Sequence, residues 1–210
     1  MKLREPVVLV EEDLAISQAD ALMSAGVAAC DIESSGLDWR SDRIGSCQMC
    51  SPNGPVFLVR AIGEAPKQIM RVVSDPSVRK VFHHAMFDLR FMRHHWGVTP
   101  ANVACTKIAA KLVDPFSGAG HSLQALLSRY LNVSIDKTEQ RSDWLREALT
   151  KSQMTYAAND VLYLVSLLEM LETRLREMQL SDLARKCFEH LPVRVELDVL
   201  GYGDLYTYTP

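Results

Sequence analysis

The sequence predicts an α/β domain with a mixed central β-sheet flanked by α-helices. Three observations carry that expectation. Residues 27–33, 44–50 and 56–59 read as a three-strand meander whose second and third strands are joined by Ser51-Pro52-Asn53-Gly54-Pro55, a strong turn signal. A lone short strand at 80–83 sits between two helical patterns. Everything after residue 106 reads as helix or polar loop.

A length of 210 residues suits one domain, 1–210, with residues 191–210 as a C-terminal tail. An apolar fraction of 48% and a charged fraction of 23% are those of a globular chain with a full core. Net charge is −3, so no global basic field draws in long nucleic acid, and any such contact must be local. The N-terminus runs into Glu11, Glu12 and Asp13 without the apolar core of a signal peptide, and the longest helical apolar run, 161–168, is too short to span a membrane. Five cysteines, an odd number, point to reduced thiols and a cytoplasmic location.

In order, residues 7–10 form a short strand and 12–25 a helix ending near Gly26. The strand 27–33 is broken by Ser34-Ser35-Gly36, and 38–43 is a polar connection to the meander. Residues 65–74 fit a helix with Pro66 in its first turn. After the strand at 80–83, residues 86–95 are helical and stop near Gly97. Helices at 106–112 and 122–130 flank a loop with Gly118 and Gly120, and 137–142 is polar loop. Thr150-Lys151-Ser152-Gln153 is a capping box that opens the longest helix, whose apolar stripe runs through Met154, Ala157, Val161, Val165, Leu168, Leu171 and Leu175. A last helix at 181–189 precedes the tail, which carries Tyr202, Tyr206 and Tyr208.

The strand 27–33 is where function enters. It is apolar until Asp31 and Glu33, two residues apart and therefore on one face. A lone Asp-x-Glu is usually a solvated strand end; adjacent, desolvated carboxylates instead call for a cation. Asp88 follows a short strand and opens a helix, at the strand end where α/β sheets place ligands. Tyr156 and Asp160 are one turn apart on the long helix, among Ala157, Ala158, Val161 and Leu164. Four acids and a tyrosine make a coherent set: two divalent ions about 3.5–4 Å apart can flank a phosphodiester. Asp31, Glu33, Asp88 and Asp160 are then the metal ligands, Mg²⁺ with Mn²⁺ as a substitute, and Tyr156 orients the attacking water. A phenol has an ordinary pKa of about 10, so it would need help to act as a base.

These segments resemble the three motifs of the DEDD superfamily of 3′→5′ exonucleases, in the subclass with Tyr-x-x-x-Asp in its third motif, of which ribonuclease D is the familiar member. The likeness continues in Cys105-Thr106-Lys107-Ile108-Ala109-Ala110 and in Lys137-Thr138-Glu139-Gln140-Arg141-Ser142-Asp143-Trp144. It implies a ribonuclease H-like fold. The short chain, without ribonuclease D's additional helical domains, and the segments 186–192 and 197–201 are most similar to nano-RNase C. That resemblance implies degradation of short single-stranded RNA down to dinucleotides, and a homo-oligomer, an octameric ring.

Secondary candidates surround the acids. Leu37, apolar in a polar loop, resembles a leucine that wedges between terminal bases in similar exonucleases. His84 is a candidate for the terminal ribose or phosphate, and Lys107, Lys137 and Arg141 for phosphates. Trp144 reads as a core anchor, and Cys47-Gln48-Met49-Cys50 as core residues of a strand rather than a zinc pair. The function expected is a metal-dependent 3′→5′ exoribonuclease acting on short RNA. The alternatives are ribonuclease D-like trimming, a DNA exonuclease, or an inert nucleic-acid-binding module, which would be expected to have lost an acid.

Overall fold

The computed structural model describes residues 7–62, 65–136 and 138–207. In chain order the elements are β1 (Val7–Glu11), α1 (Ile16–Ser24), β2 (Val27–Ser34), β3 (Ile44–Cys50), β4 (Val56–Arg60), α2 (Lys67–Ser74), β5 (Arg79–Phe82), α3 (Met86–Trp96), β6 (Val103–Cys105), α4 (Thr106–Val113), α5 (Leu123–Leu131), α6 (Lys151–Leu162), α7 (Leu164–Glu177) and α8 (Ser181–Val199). The strands form one sheet in the order β1-β4-β3-β2-β5-β6. β2 is its pivot: it pairs antiparallel with β3 and parallel with β5. The sheet is therefore mixed, as the sequence predicts.

Strands β2 to β6 are largely buried, and the edge strand β1 is not. Ala28, Ala29, Cys30, Cys47, Met49, Val59, Val81 and Phe82 join one large apolar core with residues of α1 to α8. Lys80 is fully buried among them, its ammonium bonded to the Asp75 carbonyl at the C-terminal end of α2. There it faces the negative end of the helix dipole. Asp13, which reads as part of the first helix in the sequence, instead accepts the N–H groups of Gln68 and Ile69 and caps α2.

Three elements depart from expectation. The long helix from Thr150 is two helices separated at Tyr163. α6 packs across β2, β3 and β4, whereas α7 packs on α4 and α5. The buried stripe shifts with the partner, so Leu164 and Leu167 are fully buried and Val165 is only half-buried. α8 runs straight through Pro192 to Val199 instead of ending at residue 189. Its second half is fastened to α3: Asp198, 8% exposed, is gripped by Arg90 and Arg194, and Glu196 takes a bidentate bond from Arg93. Leu191 and Val195 are thereby buried in the chain's own core, so much of the expected tail is structural. Finally β6 was not legible at all, being three residues long.

Candidate active site

β2 supplies the first two acids. Asp31 and Glu33 face the same side of the sheet and are half-buried; Gln48 and Ser46 of β3 stand directly opposite them. α6 lies on the same strands and delivers Asp160 and Tyr156 from consecutive turns. Its start is fixed by the expected capping box, with the Thr150 hydroxyl accepting from the Gln153 N–H and the Gln153 amide oxygen from the Thr150 N–H. One carboxylate oxygen each from Asp31, Glu33 and Asp160 lie within 4.8 Å of one another. Asp88, 2% exposed in the first turn of α3, accepts the Ile32 N–H at 3.0 Å, which ties that helix to β2 between the two strand acids.

The electrostatics are those of crowded, partly buried acids. Burial pushes the Asp31 carboxyl well up, and the charges of Asp88, Asp160 and Glu33 push it further. Glu33 is raised by burial and then by Asp160 and Asp88. Burial carries Asp88 up to about 8, although the Ile32 N–H works the other way. Tyr156, half-buried, is held far above the ordinary phenol range by burial and by the charges of Asp160, Glu33 and Asp31, and its hydroxyl bonds Asp160. The phenol therefore keeps its proton at neutral pH. With that proton given to Asp160, the phenol oxygen is left to accept from a water and so to orient it.

The donor set is all oxygen and carries a concentrated negative charge. That fits a hard divalent cation such as Mg²⁺ or Mn²⁺, which takes carboxylate oxygens and relieves the repulsion.

The secondary candidates fall around this cluster less tightly. Leu37 is 84% exposed on the β2–β3 loop, and that loop is well held. Asp42 accepts from the Asp38 N–H and the Ser35 hydroxyl, and it packs so close to Gly36 that a Cβ there would lie 2.4 Å away. Trp39, 9% exposed, packs edge-on against His94. An apolar side chain is thus presented outward from a rigid loop. His84 occupies the left-handed region (φ +69°) between β5 and α3, exposed, with Lys107 of the first α4 turn near enough to lower its pKa after burial has done so. Arg141 is exposed in the α5–α6 loop, and Lys137 lies outside the described residues.

That loop is anchored by Trp144, 2% exposed, whose ring packs 5.9 Å from that of Tyr156. Gln153 also holds it, donating to the Ser142 hydroxyl and the Asp143 carbonyl. Sequence reasoning missed the supporting residues Asp42, Gly45, Ser46 and Gln48. The one available signal was a polar residue, Gln48, two after Ser46 in a strand otherwise read as buried. Cys47 and Cys50 are buried free thiols, as expected of core residues.

The 3′-5′ exonuclease family profile matches residues 8–176. Ribonuclease D of Nitrobacter hamburgensis is 32% identical over 167 residues, 78% of this chain and 40% of that protein. Ribonuclease D of Shewanella sp. strain ANA-3 is 36% identical over 105 residues, 50% of this chain and 26% of that one. The chain therefore matches well under half the length of these curated relatives. Among solved structures, Brucella melitensis NrnC bound to pGG superposes with a TM-score of 0.90 at 33% identity, covering 98% of this chain and 100% of the other. The same protein with bound Mg²⁺ gives 0.89 at 33% identity, over 97% and 100%. Escherichia coli RNase D, an exoribonuclease involved in structured RNA processing, shares the fold, with a TM-score of 0.81 at 23% identity over 90% of this chain and 50% of that one.

Proposed function

This chain belongs to the ribonuclease D-like DEDD family of 3′-5′ exonucleases, and from that membership we propose that it hydrolyses short oligoribonucleotides from the 3′ end, down to dinucleotides, releasing 5′-mononucleotides. The observation that carries the reading is the carboxylate cluster. Asp31, Glu33 and Asp160 converge from β2 and α6, Asp88 acts on them from α3, and the charges that act most strongly on Asp31 are all acidic.

In this reading Asp31, Glu33, Asp88 and Asp160 hold two Mg²⁺ ions, with Mn²⁺ as a substitute. Such ions, when bound, neutralise phosphate charge and activate water for in-line attack. The chain's own residues do the rest. Tyr156, its proton held by burial and by Asp160, orients the attacking water. Leu37 packs against a terminal base from its fixed loop. His84 contacts the terminal ribose or phosphate, and Lys107, Lys137 and Arg141 take phosphates.

Preference for short strands is supported by the net charge of −3, since long polyanions gain affinity from many basic contacts. It is supported also by the end-to-end likeness to a protein captured with pGG. Trimming of longer RNA is the alternative, favoured by the sequence identity to ribonuclease D. The reading also places the protein in the cytoplasm, as one unit assembled into a homo-oligomer. Val193, Leu200, Tyr202, Leu205 and Tyr206, all exposed, are the apolar side chains of the C-terminal region open to a second copy. Light scattering of a chain cut after Leu200 tests that assembly, because a cut at Pro192 would remove buried Val195 and Asp198 as well.

The test of the activity is product analysis on a 5′-labelled RNA with Mg²⁺, with EDTA, and with Asp160→Asn. Mononucleotide release with Mg²⁺ alone is expected, and the variant should lose at least about 10²–10³-fold in rate, as when one electrostatic stabiliser is removed. Undiminished cleavage by Asp160→Asn would overturn the site.

A further inference from the structure

Beside the two strand acids, across the β2–β3 ladder, lies a buried polar pair. Gln48 and Ser46 are both 0% exposed, in a strand whose other side chains are apolar core. In the β2–β3 ladder Gln48 is the register partner of Asp31, and Ser46 that of Glu33. Directly opposed residues of an antiparallel pair share a face, with Cβ atoms about 4.5–5.5 Å apart. The Gln48 Nε2 donates to the Ser46 Oγ at 2.9 Å. Its Oε1 is buried and without a partner.

A buried carbonyl oxygen left unpaired costs about 1–3 kcal/mol, and here it sits on the face of two carboxylates, which offer no proton when ionised. The two ends of an amide differ only in which atom is called oxygen and which nitrogen, so its orientation is decided by its partners. Turned over, the Ser46 hydroxyl donates to Oε1, and the Nε2 hydrogens take the place of the orphaned oxygen. Those hydrogens then face the side of the sheet that carries Asp31.

We propose that Gln48 is a positioning residue for Asp31: its amide nitrogen donates to the Asp31 carboxylate, while the Ser46 hydroxyl, donating to Oε1, fixes the amide in that sense. The pair works beside the ligand. It sets the Asp31 rotamer and leaves the other carboxylate oxygen for the cation, the arrangement by which partners behind a ligand usually tune a metal site. The proposal rests on the exonuclease reading above, in which Asp31 is a ligand.

The test is a pair of variants, Gln48→Met and the double variant Ser46→Ala/Gln48→Met. Removing both partners of a buried hydrogen bond is close to neutral for stability, so the double variant keeps the fold if the single one does not. Mg²⁺ binding is measured by calorimetry without substrate, alongside thermal melting and a kcat-against-KM analysis on a short RNA. The expected result is a double variant that melts like the parent, binds Mg²⁺ at least about tenfold more weakly, and loses kcat with an unchanged KM. Parental Mg²⁺ affinity and kcat in a folded double variant would overturn the proposal. Asp31→Asn separates the two levels. If it leaves Mg²⁺ binding intact, the site reading itself fails; if it weakens binding and the double variant does not, only the role of Gln48 fails.

Discussion

Replacing Gly45 with alanine reaches the active site through packing alone, and its size can be worked out from the structure. A Cβ at Gly45 would lie 2.6 Å from the Trp144 carbonyl oxygen, 2.8 Å from its Cβ and 2.9 Å from its carbonyl carbon. Ordinary contact needs about 3.5 Å or more, so the Trp144 backbone must retreat by close to 1 Å. Trp144 is 2% exposed and cannot swing into solvent. Overpacking of this kind costs about 1–3 kcal/mol, which in a chain of this length lowers the melting temperature by roughly 2–4 °C per kcal/mol. We expect a fall of about 5–10 °C. Because the Trp144 ring supports Tyr156, the displacement should also lower kcat, by roughly tenfold to a hundredfold if the phenol moves by an ångström. The assay is a melt with EDTA, followed by single-turnover cleavage well below the transition. Gly118→Ala is the control, since nothing lies within 4 Å of its Cβ. A Gly45→Ala protein that melts with the parent and keeps its kcat would refute the claim that β3 pins Trp144 and, through it, Tyr156.

The remaining predictions concern charge, the C-terminal helix and the substrate loop. Asp88 has its pKa raised from 3.8 to about 8, so between those values the metal-free fold binds a proton that the unfolded chain has released. Stability with EDTA should therefore fall as pH rises through that window, while Mg²⁺, which displaces the proton, should stabilise more at pH 8 than at pH 5. Melts in EDTA and in Mg²⁺ at several pH values read this, and a constant gap between them would contradict it. Asp198→Asn removes the charge that faces Arg90 and Arg194, both partly exposed, and should cost roughly 1–3 kcal/mol; denaturant unfolding measures it, and a loss near zero would mean α8 is held by its apolar face alone. Leu37→Ala, on an 84% exposed side chain, should leave the melting temperature alone and raise KM for a dinucleotide about tenfold, the value of one stacked base. An unchanged KM would remove Leu37 from the substrate site.

Much of this was legible in the sequence because its signals are local. Turn chemistry at 51–55 marks the hairpin between β3 and β4, and the capping box at Thr150 marks the start of α6. Asp31 and Glu33 share a face by strand period, and Tyr156 and Asp160 by helix period. What brings the two pairs together is tertiary, and the family resemblance rather than periodicity supplied it. The misreadings share a cause as well. Pro192 ordinarily ends a helix, yet α8 continues because Arg90 and Arg93, a hundred residues upstream, grip Asp198 and Glu196. Tyr163 separates two helices because one stripe must meet the sheet and the next must meet α4. Asp13 looks like the start of its own helix and caps another. Gln48 carried a signal that went unused: polarity in a buried strand means something only once its register partner is known to be Asp31.

A carboxylate-held divalent centre that finishes short RNA should reveal itself in single-turnover digestion, with Mg²⁺, of 5′-labelled RNAs of two, three, seven and about twenty nucleotides beside matching DNA. The dinucleotide should be cleaved far faster than the longer strands, and EDTA should abolish all cleavage. Longer strands shortened equally well or better, or DNA taken in preference, would contradict that reading and give the trimming or DNA-degrading one its place.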